Sequence, residues 1–143
     1  MTDASPLRRR HSSGGPWEDA FGYSRSIRTG DRILVSGCTA VVDGAVQHAG
    51  DAGAQMGVAL DHVLDAVTAL GGKLGDVIRT RMYVVNRADC DSVGRVHAEW
   101  FADVRPAASM VLVAGLIDEA MLVEVEVEAR VGSAKRYYPG RPS

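Results

Sequence analysis

Between Leu122 and Ala129 the chain alternates without a break. Val123, Val125, Val127 and Ala129 fall on one side, and Glu124, Glu126 and Glu128 on the other. That period of two predicts a strand with one face in a core and a row of carboxylates turned toward water, a partner or a ligand. Upstream, Ala107 to Ala114 is apolar without alternation, the pattern of a strand buried on both faces. Arg105-Pro106 opens it, and the proline disfavours helix at Arg105 and predicts an extended entry. With Asp118-Glu119 marking the connection, these two strands are expected to lie side by side as the spine of a sheet.

The rest of the chain divides by the same criteria. Asp51 to Leu70 has the helical period, with Met56, Leu60, Val63, Leu64, Val67 and Leu70 on one stripe, and Gly71-Gly72 ends it. His62 falls on its polar, solvated side. Asp89 or Asp91 caps a second helix running to about Asp103, with Val93, Val96, Trp100 and Phe101 as its stripe and His97 inside it. Phe21 to Arg28 and Arg32 to Thr39 read as strands about the turn Thr29-Gly30-Asp31, and Val41-Val42 and Ala45-Val46 as a smaller hairpin on Asp43-Gly44. In Val77 to Val85, Ile78, Thr80, Met82 and Val84 share one face, and Arg79, Arg81, Tyr83 and Val85 the other. This order implies an α+β fold, a mixed sheet with two helices packed on one face. The apolar residues on both sides of several strands imply that a partner covers the other face.

At 143 residues the chain has the size of one domain. Residues 1–16 form a polar tail containing Arg8-Arg9-Arg10, residues 17–132 the domain, and residues 133–143 a second tail. Trp17 is expected to dock the first tail on the body. A formal net charge of −2 with mixed signs gives no footprint for nucleic acid or an anionic membrane. Two cysteines, Cys38 and Cys90, make no disulfide framework, and nothing in the sequence calls for a metal or an organic cofactor. Without a signal peptide or membrane-length apolar run, the expected location is the cytoplasm.

Several residues carry chemistry. Arg79 and Arg81 beside Tyr83 suit anion binding or pairing with the glutamates of the C-terminal strand, and pairing is favoured because those carboxylates need neutralising. Gly37 lets a ligand or another strand approach the backbone closely, or serves only the turn. His97 reads first as a satisfied core histidine.

Pro106-Ala107-Ala108-Ser109 leading into a strand, then a loop and Val123-Glu124-Val125-Glu126, resembles the C-terminal signature of the Rid (reactive intermediate deaminase, YjgF-like) family. Tyr23, Val35-Ser36-Gly37 and the stretch Gly75 to Thr80 arrive in the matching order, so the likeness runs from Gly22 to Val131. The resemblance implies a chorismate-mutase-like fold, a homotrimer, and ligand clefts at its subunit interfaces. It also implies hydrolysis of 2-imino or 2-enamino acids to ammonia and a 2-oxo acid. On that reading Glu124 corresponds to the water-positioning glutamate, and Tyr23, Ser36, Gly37, Ser109 and Met110 line the cleft. Two departures stand out. Ala108 replaces the arginine that grips the substrate carboxylate, and Gly94 replaces a cleft asparagine. Arg81 or Arg105 reaching in, with His97 assisting, would be the compensation. Two further readings stay open: a non-catalytic trimer that binds a small metabolite, and the ribonuclease activity attached to some relatives, for which no basic, aromatic-lined groove is visible. Glu124 also has the plainer reading of a strand-face carboxylate paired with Arg79 or Arg81.

Overall fold

The structure, a computed structural model, describes residues 7–136; the outer parts of the two expected tails, 1–6 and 137–143, lie outside them. Eight strands and three α-helices follow one another as β1 (Arg9–His11), α1 (Pro16–Phe21), β2 (Ser26–Thr29), β3 (Arg32–Cys38), β4 (Val41–Val42), β5 (Ala45–Val46), α2 (Ala52–Thr68), β6 (Val77–Val84), α3 (Cys90–Phe101), β7 (Ala107–Leu112) and β8 (Val123–Arg130). The main sheet has the order β1-β2-β3-β8-β6-β7, with β4 and β5 as a separate hairpin. Neighbours in the main sheet are antiparallel except β6 and β7, which run parallel. A parallel pair needs a crossover, and α3 supplies it.

The alternation in β8 decides where the core lies. Val123, Val125, Val127 and Ala129 are at most 4% exposed and face α2 and α3, whereas Glu124, Glu126 and Glu128 stand on the opposite face. Met56, Ala59, Leu60, Val63, Ala66 and Val67 of α2 are fully buried against that apolar face. Asp51 starts α2 by accepting from Ala54 N–H at 3.0 Å, a cap worth about 1 kcal/mol. Gln55, fully buried, bonds Ala120 O at 2.9 Å and accepts from Leu122 N–H at 2.9 Å. Those bonds hold Leu122, just ahead of β8 and two residues before Glu124.

The apolar run Ala107–Ala114 does not lie beside β8. β6 stands between them, and β7 is the exposed edge of the sheet, not a strand buried on both faces within one chain. Arg105 is not extended either. Its φ of +52° places it in the left-handed region, and its N–H donates to Phe101 O at 2.8 Å, closing the end of α3 before Pro106 turns the chain into β7. A bulge between Val77 and Arg79 turns Ile78 out of the core face, leaving it 41% exposed while Val77 takes the inner place.

The N-terminal third differs more. Phe21 to Arg28 is not one strand: Pro16 opens α1, Gly22 closes it at φ +75°, and β2 begins only at Ser26, so Tyr23 lies in the connection. The sheet also begins within the segment expected to be tail. Arg9–His11 pairs with β2, and Arg9 and Arg28 both donate to Leu70 O, at 3.1 and 2.7 Å, at the negative end of α2. Trp17 docks nothing in the core; it is 51% exposed and stacks on Phe21 at 5.1 Å. His62 is tied to Val41 O at 2.8 Å instead of being solvated, and Asp89 occupies the cap position of α3 without a side-chain bond to the helix N–H groups.

Candidate functional site

The bulge in β3 makes the first half of the site. Val35 pairs with Val127 and Cys38 with Val125, so Ser36 and Gly37 together oppose the single residue Glu126. Gly37 is required there by space. A Cβ at that position would sit 2.7 Å from both Cδ and Oε2 of Glu124, closer than real atoms approach. Glu124 is thus seated against bare backbone, half-buried. Burial, then the neighbouring charge of Glu126, raise its pKa above the ordinary carboxylate value, and the positive charge of Arg25 acts the other way. Arg25 donates to Gly37 O at 2.6 Å and Ser36 O at 3.2 Å, and lies 5.6 Å above the Tyr23 ring. Ser36 Oγ donates to Ser24 O at 2.7 Å. The structure therefore brings Tyr23, Ser36, Gly37 and Glu124 together.

The remainder of this open face is paired differently from the expectation. Arg79 stands opposite Glu128 and Arg81 opposite Glu126 in the β6–β8 register, yet among the described residues neither forms an ion pair with a glutamate. Glu128 takes Arg32 from β3, Glu126 accepts the Tyr83 hydroxyl, and Arg79 reaches Ser109 Oγ at 3.4 Å. The cross-strand diagonal reach of Tyr83 satisfies Glu126 without a cation. Burial and the Glu126 contact together push the Tyr83 pKa up, the hydrogen bond being the larger influence. A concavity of about 760 Å³ lies over the face, and its wall includes Tyr23, Ser36, Arg81 and Glu126 but not Glu124.

The other expected residues lie elsewhere. In the parallel register Ala108 pairs with Thr80 and Met110 with Met82, both core-facing, so Ala108 and Met110 look toward α3 while Ser109 pairs with Arg81 on the open face. A Cβ on Gly94 would meet only Met110 Cε, at 3.7 Å, so the place expected to hold an asparagine is open beside β7. His97, half-buried, bonds Thr80 Oγ1 at 2.8 Å and packs against Phe101 at 4.7 Å. Burial lowers its pKa, so at neutral pH it is an uncharged hydrogen-bonding ring. Arg105 turns back over α3, its Nε donating to Ala102 O at 3.1 Å, and does not replace a clamp at Ala108.

Within one chain the expected site therefore falls into two groups, one about Glu124 on the open face and one about Ala108 on the helix side of the β7 edge. Arg25, central to the first group, escaped the sequence reading because it sits in a connection where no periodicity marks it. Among the described residues no three His, Cys, Asp or Glu side chains are placed to hold a metal, and no helix is long and apolar enough to cross a membrane.

Comparison with known proteins is consistent with this geometry. A protein of Streptomyces coelicolor without assigned function is 42% identical over 125 residues, 87% of this chain and 93% of that protein. The 3-aminoacrylate deaminase RutC of Acinetobacter baylyi is 31% identical over 110 residues, 76% of this chain and 86% of the enzyme. A crystal structure from Mycobacterium tuberculosis, of a member of the YjgF/YER057c/UK114 family, superposes with a TM-score of 0.80 at 41% identity, covering 87% of this chain and 100% of that one. The pattern of the Endoribonuclease L-PSP family matches residues 17–131. With a match across almost all of the sheet and both long helices, the chain belongs to the Endoribonuclease L-PSP family, within the YjgF/Rid superfamily.

Proposed function

We propose that this protein hydrolyses imines or enamines in a cleft shared by two copies of the chain within a homotrimer, with Glu124 positioning and deprotonating the attacking water. The observation that carries the proposal is the setting of Glu124. Its carboxylate is half-buried against Gly37, with a raised pKa, on a sheet face without an ion pair to it among the described residues. A carboxylate of raised pKa is suited to take a proton and give it back near neutral pH. Water adds through oxygen to the C=N carbon while its proton passes by way of Glu124 to nitrogen. A second proton follows the same path as the C–N bond breaks, leaving a carbonyl compound and ammonia. An enamine first tautomerises to the imine.

Two features support assembly. The open face exposes Leu34 at 44% and Val111 at 45%, and β7 is an unpaired parallel edge. Such surface calls for a partner. The similarity to a 3-aminoacrylate deaminase supports the reaction class. The substrate preference is set apart by the β7 edge. Ala108 and open space at Gly94 offer no charged or amide side chain, and Thr80, the β6 partner of Ala108, is bonded to neutral His97. The preferred substrate is therefore an imine that does not depend on a bidentate carboxylate clamp.

The test generates imines in place with amino-acid and amine oxidases and follows their loss against the uncatalysed rate. Glu124-dependent acceleration, greater for imines without a carboxylate, is the expected result, together with a trimer by light scattering. A stable monomer would sink the shared cleft. The same bare edge favours a second reading, a trimer that binds a small metabolite without turning it over. Saturable binding with no acceleration for any imine would establish it.

A further inference from the structure

The connection from α1 to β2 carries a charged side chain that joins the N-terminal segment to the Glu124 site. Arg25 lies at the end of the ladder, its N–H donating to His11 O at 2.9 Å and its carbonyl accepting from Ser36 N–H at 3.0 Å. Its side chain is only 14% exposed and turns back across the β3 bulge. Beyond the two carbonyl bonds of Nη1, Cys38 Sγ lies at 3.5 Å, Tyr23 Oη lies 3.4 Å from Nη2, and Glu18 Oε2 lies 3.7 Å from Nε. Glu18 is itself 3% exposed and accepts from Ser13 N–H at 3.2 Å. Burial alone would raise its pKa, but the Ser13 bonds and the Arg25 charge outweigh that and hold it below the ordinary value. A guanidinium planar and held on several sides is a rigid fixture, which a flexible lysine is not.

What Arg25 holds is the backbone on which Glu124 rests. We infer that Arg25 is the positioning residue of this site: by gripping the Ser36 and Gly37 carbonyls it keeps the β3 bulge pressed against the Glu124 carboxylate. Only the kinetic part of this inference rests on the hydrolase reading. The titratable and charged groups near Glu124 are Glu126 from its own strand, Cys38 from β3, Arg25 from the α1–β2 connection, and Tyr83, its cross-strand partner, from β6. Among those acting on Glu124, Arg25 is the cation that opposes burial and Glu126, so its removal raises the Glu124 titration midpoint further.

The experiment compares the full chain with Arg25→Met and Arg25→Lys, using carbon-13 NMR of the glutamate carboxyls, the Glu124 signal being identified by its loss in Glu124→Gln. In Arg25→Met the midpoint is expected to rise, the acid limb of the pH–rate profile to rise with it, and kcat to fall roughly tenfold at little change in KM. Arg25→Lys keeps the charge but not the fork, so its midpoint stays near the parent while kcat still falls. A folded Arg25→Met with an unmoved midpoint and limb overturns the inference. If Arg25→Met does not fold, Arg25→Lys decides: a parental midpoint with lowered kcat supports the role, and parental kcat overturns it. If the parent turns over no imine, the hydrolase reading fails by itself. The position and midpoint of the Glu124 signal in the variants then decide the role of Arg25, a signal identical to the parent in both variants overturning it.

Discussion

The surroundings of Glu124 and the β7 edge near Ala108 are built on opposite principles. Around Glu124 a single chain supplies everything: bare backbone at Gly37, the guanidinium of Arg25, and the neighbouring carboxylate of Glu126. At the β7 edge one chain supplies very little. Ala108 is exposed, Gly94 leaves open space, and Thr80, the β6 partner of Ala108, is already bonded to His97. The setting of the Glu124 carboxylate is thus fixed within one chain. Under the proposed function, recognition of the substrate falls to the β7 edge, a surface with small side chains. One region can be rigid because its bulge and hydrogen bonds are closed within the chain; the other is an open sheet edge.

The contrast is broken most severely at Glu124. Under the proposed function, Glu124→Gln is expected to reduce imine turnover by about 10²–10⁴-fold, measured against oxidase-generated imine, with the parent's oligomeric state unchanged. Its effect on stability has a defined sign. Because the folded-state pKa is raised, ionised Glu124 costs stability at neutral pH, and that cost disappears as pH falls through the folded-state pKa toward the ordinary carboxylate value. Thermal melts should therefore show Glu124→Gln as at least as stable as the parent at pH 7, with any advantage shrinking on acidification.

The opposite region is sharpened by Ala108→Arg. If the β7 edge is what excludes carboxylate-bearing imines, a guanidinium there should raise their turnover by up to about 30- to 1000-fold, the equivalent of roughly 2–4 kcal/mol. Gly94 still leaves one anchor missing, so the lower part of that range is expected. Unchanged selectivity with an unchanged oligomeric state would remove the edge from substrate recognition. Gly37→Ala is a smaller perturbation. The new Cβ meets the far end of a flexible carboxylate, which swings away, so turnover should fall by about 10- to 100-fold with little change in melting temperature. A melting temperature that collapses would show that the bulge, not Glu124, absorbs the clash.

The mildest test concerns the histidine. His97→Leu leaves the buried Thr80 hydroxyl without its partner and should cost about 1–3 kcal/mol in denaturant unfolding. Adding Thr80→Val should recover most of that loss, because both polar groups are then gone. An additive double variant would show that the bond contributes nothing. Since burial lowers the His97 pKa, its neutral form is favoured, and stability is lost as pH falls below the ordinary histidine value and through the folded-state one.

Much of this protein was legible without coordinates. The alternation of β8 and the stripe of α2 follow from spacing, because side-chain direction repeats every two residues in a strand and every 3.6 in a helix. The Gly30 hairpin follows from its turn residues, whereas only the family resemblance set Glu124 apart from Glu126 and Glu128. The chain's own order could not say that β6 separates β7 from β8, since strand adjacency is chosen by the crossover through α3 and not by proximity in sequence. Nor could spacing reveal the bulge that turns Ile78 outward, where a single extra residue inverts the alternation. The partners of the charges were hidden for the same reason. Arg79 and Arg81 match the glutamates in register, but Tyr83 and Arg32 reach Glu126 and Glu128 instead, and Arg25 arrives from a connection without any period. Local periodicity determines which way a residue faces; only the closed sheet determines what it meets there.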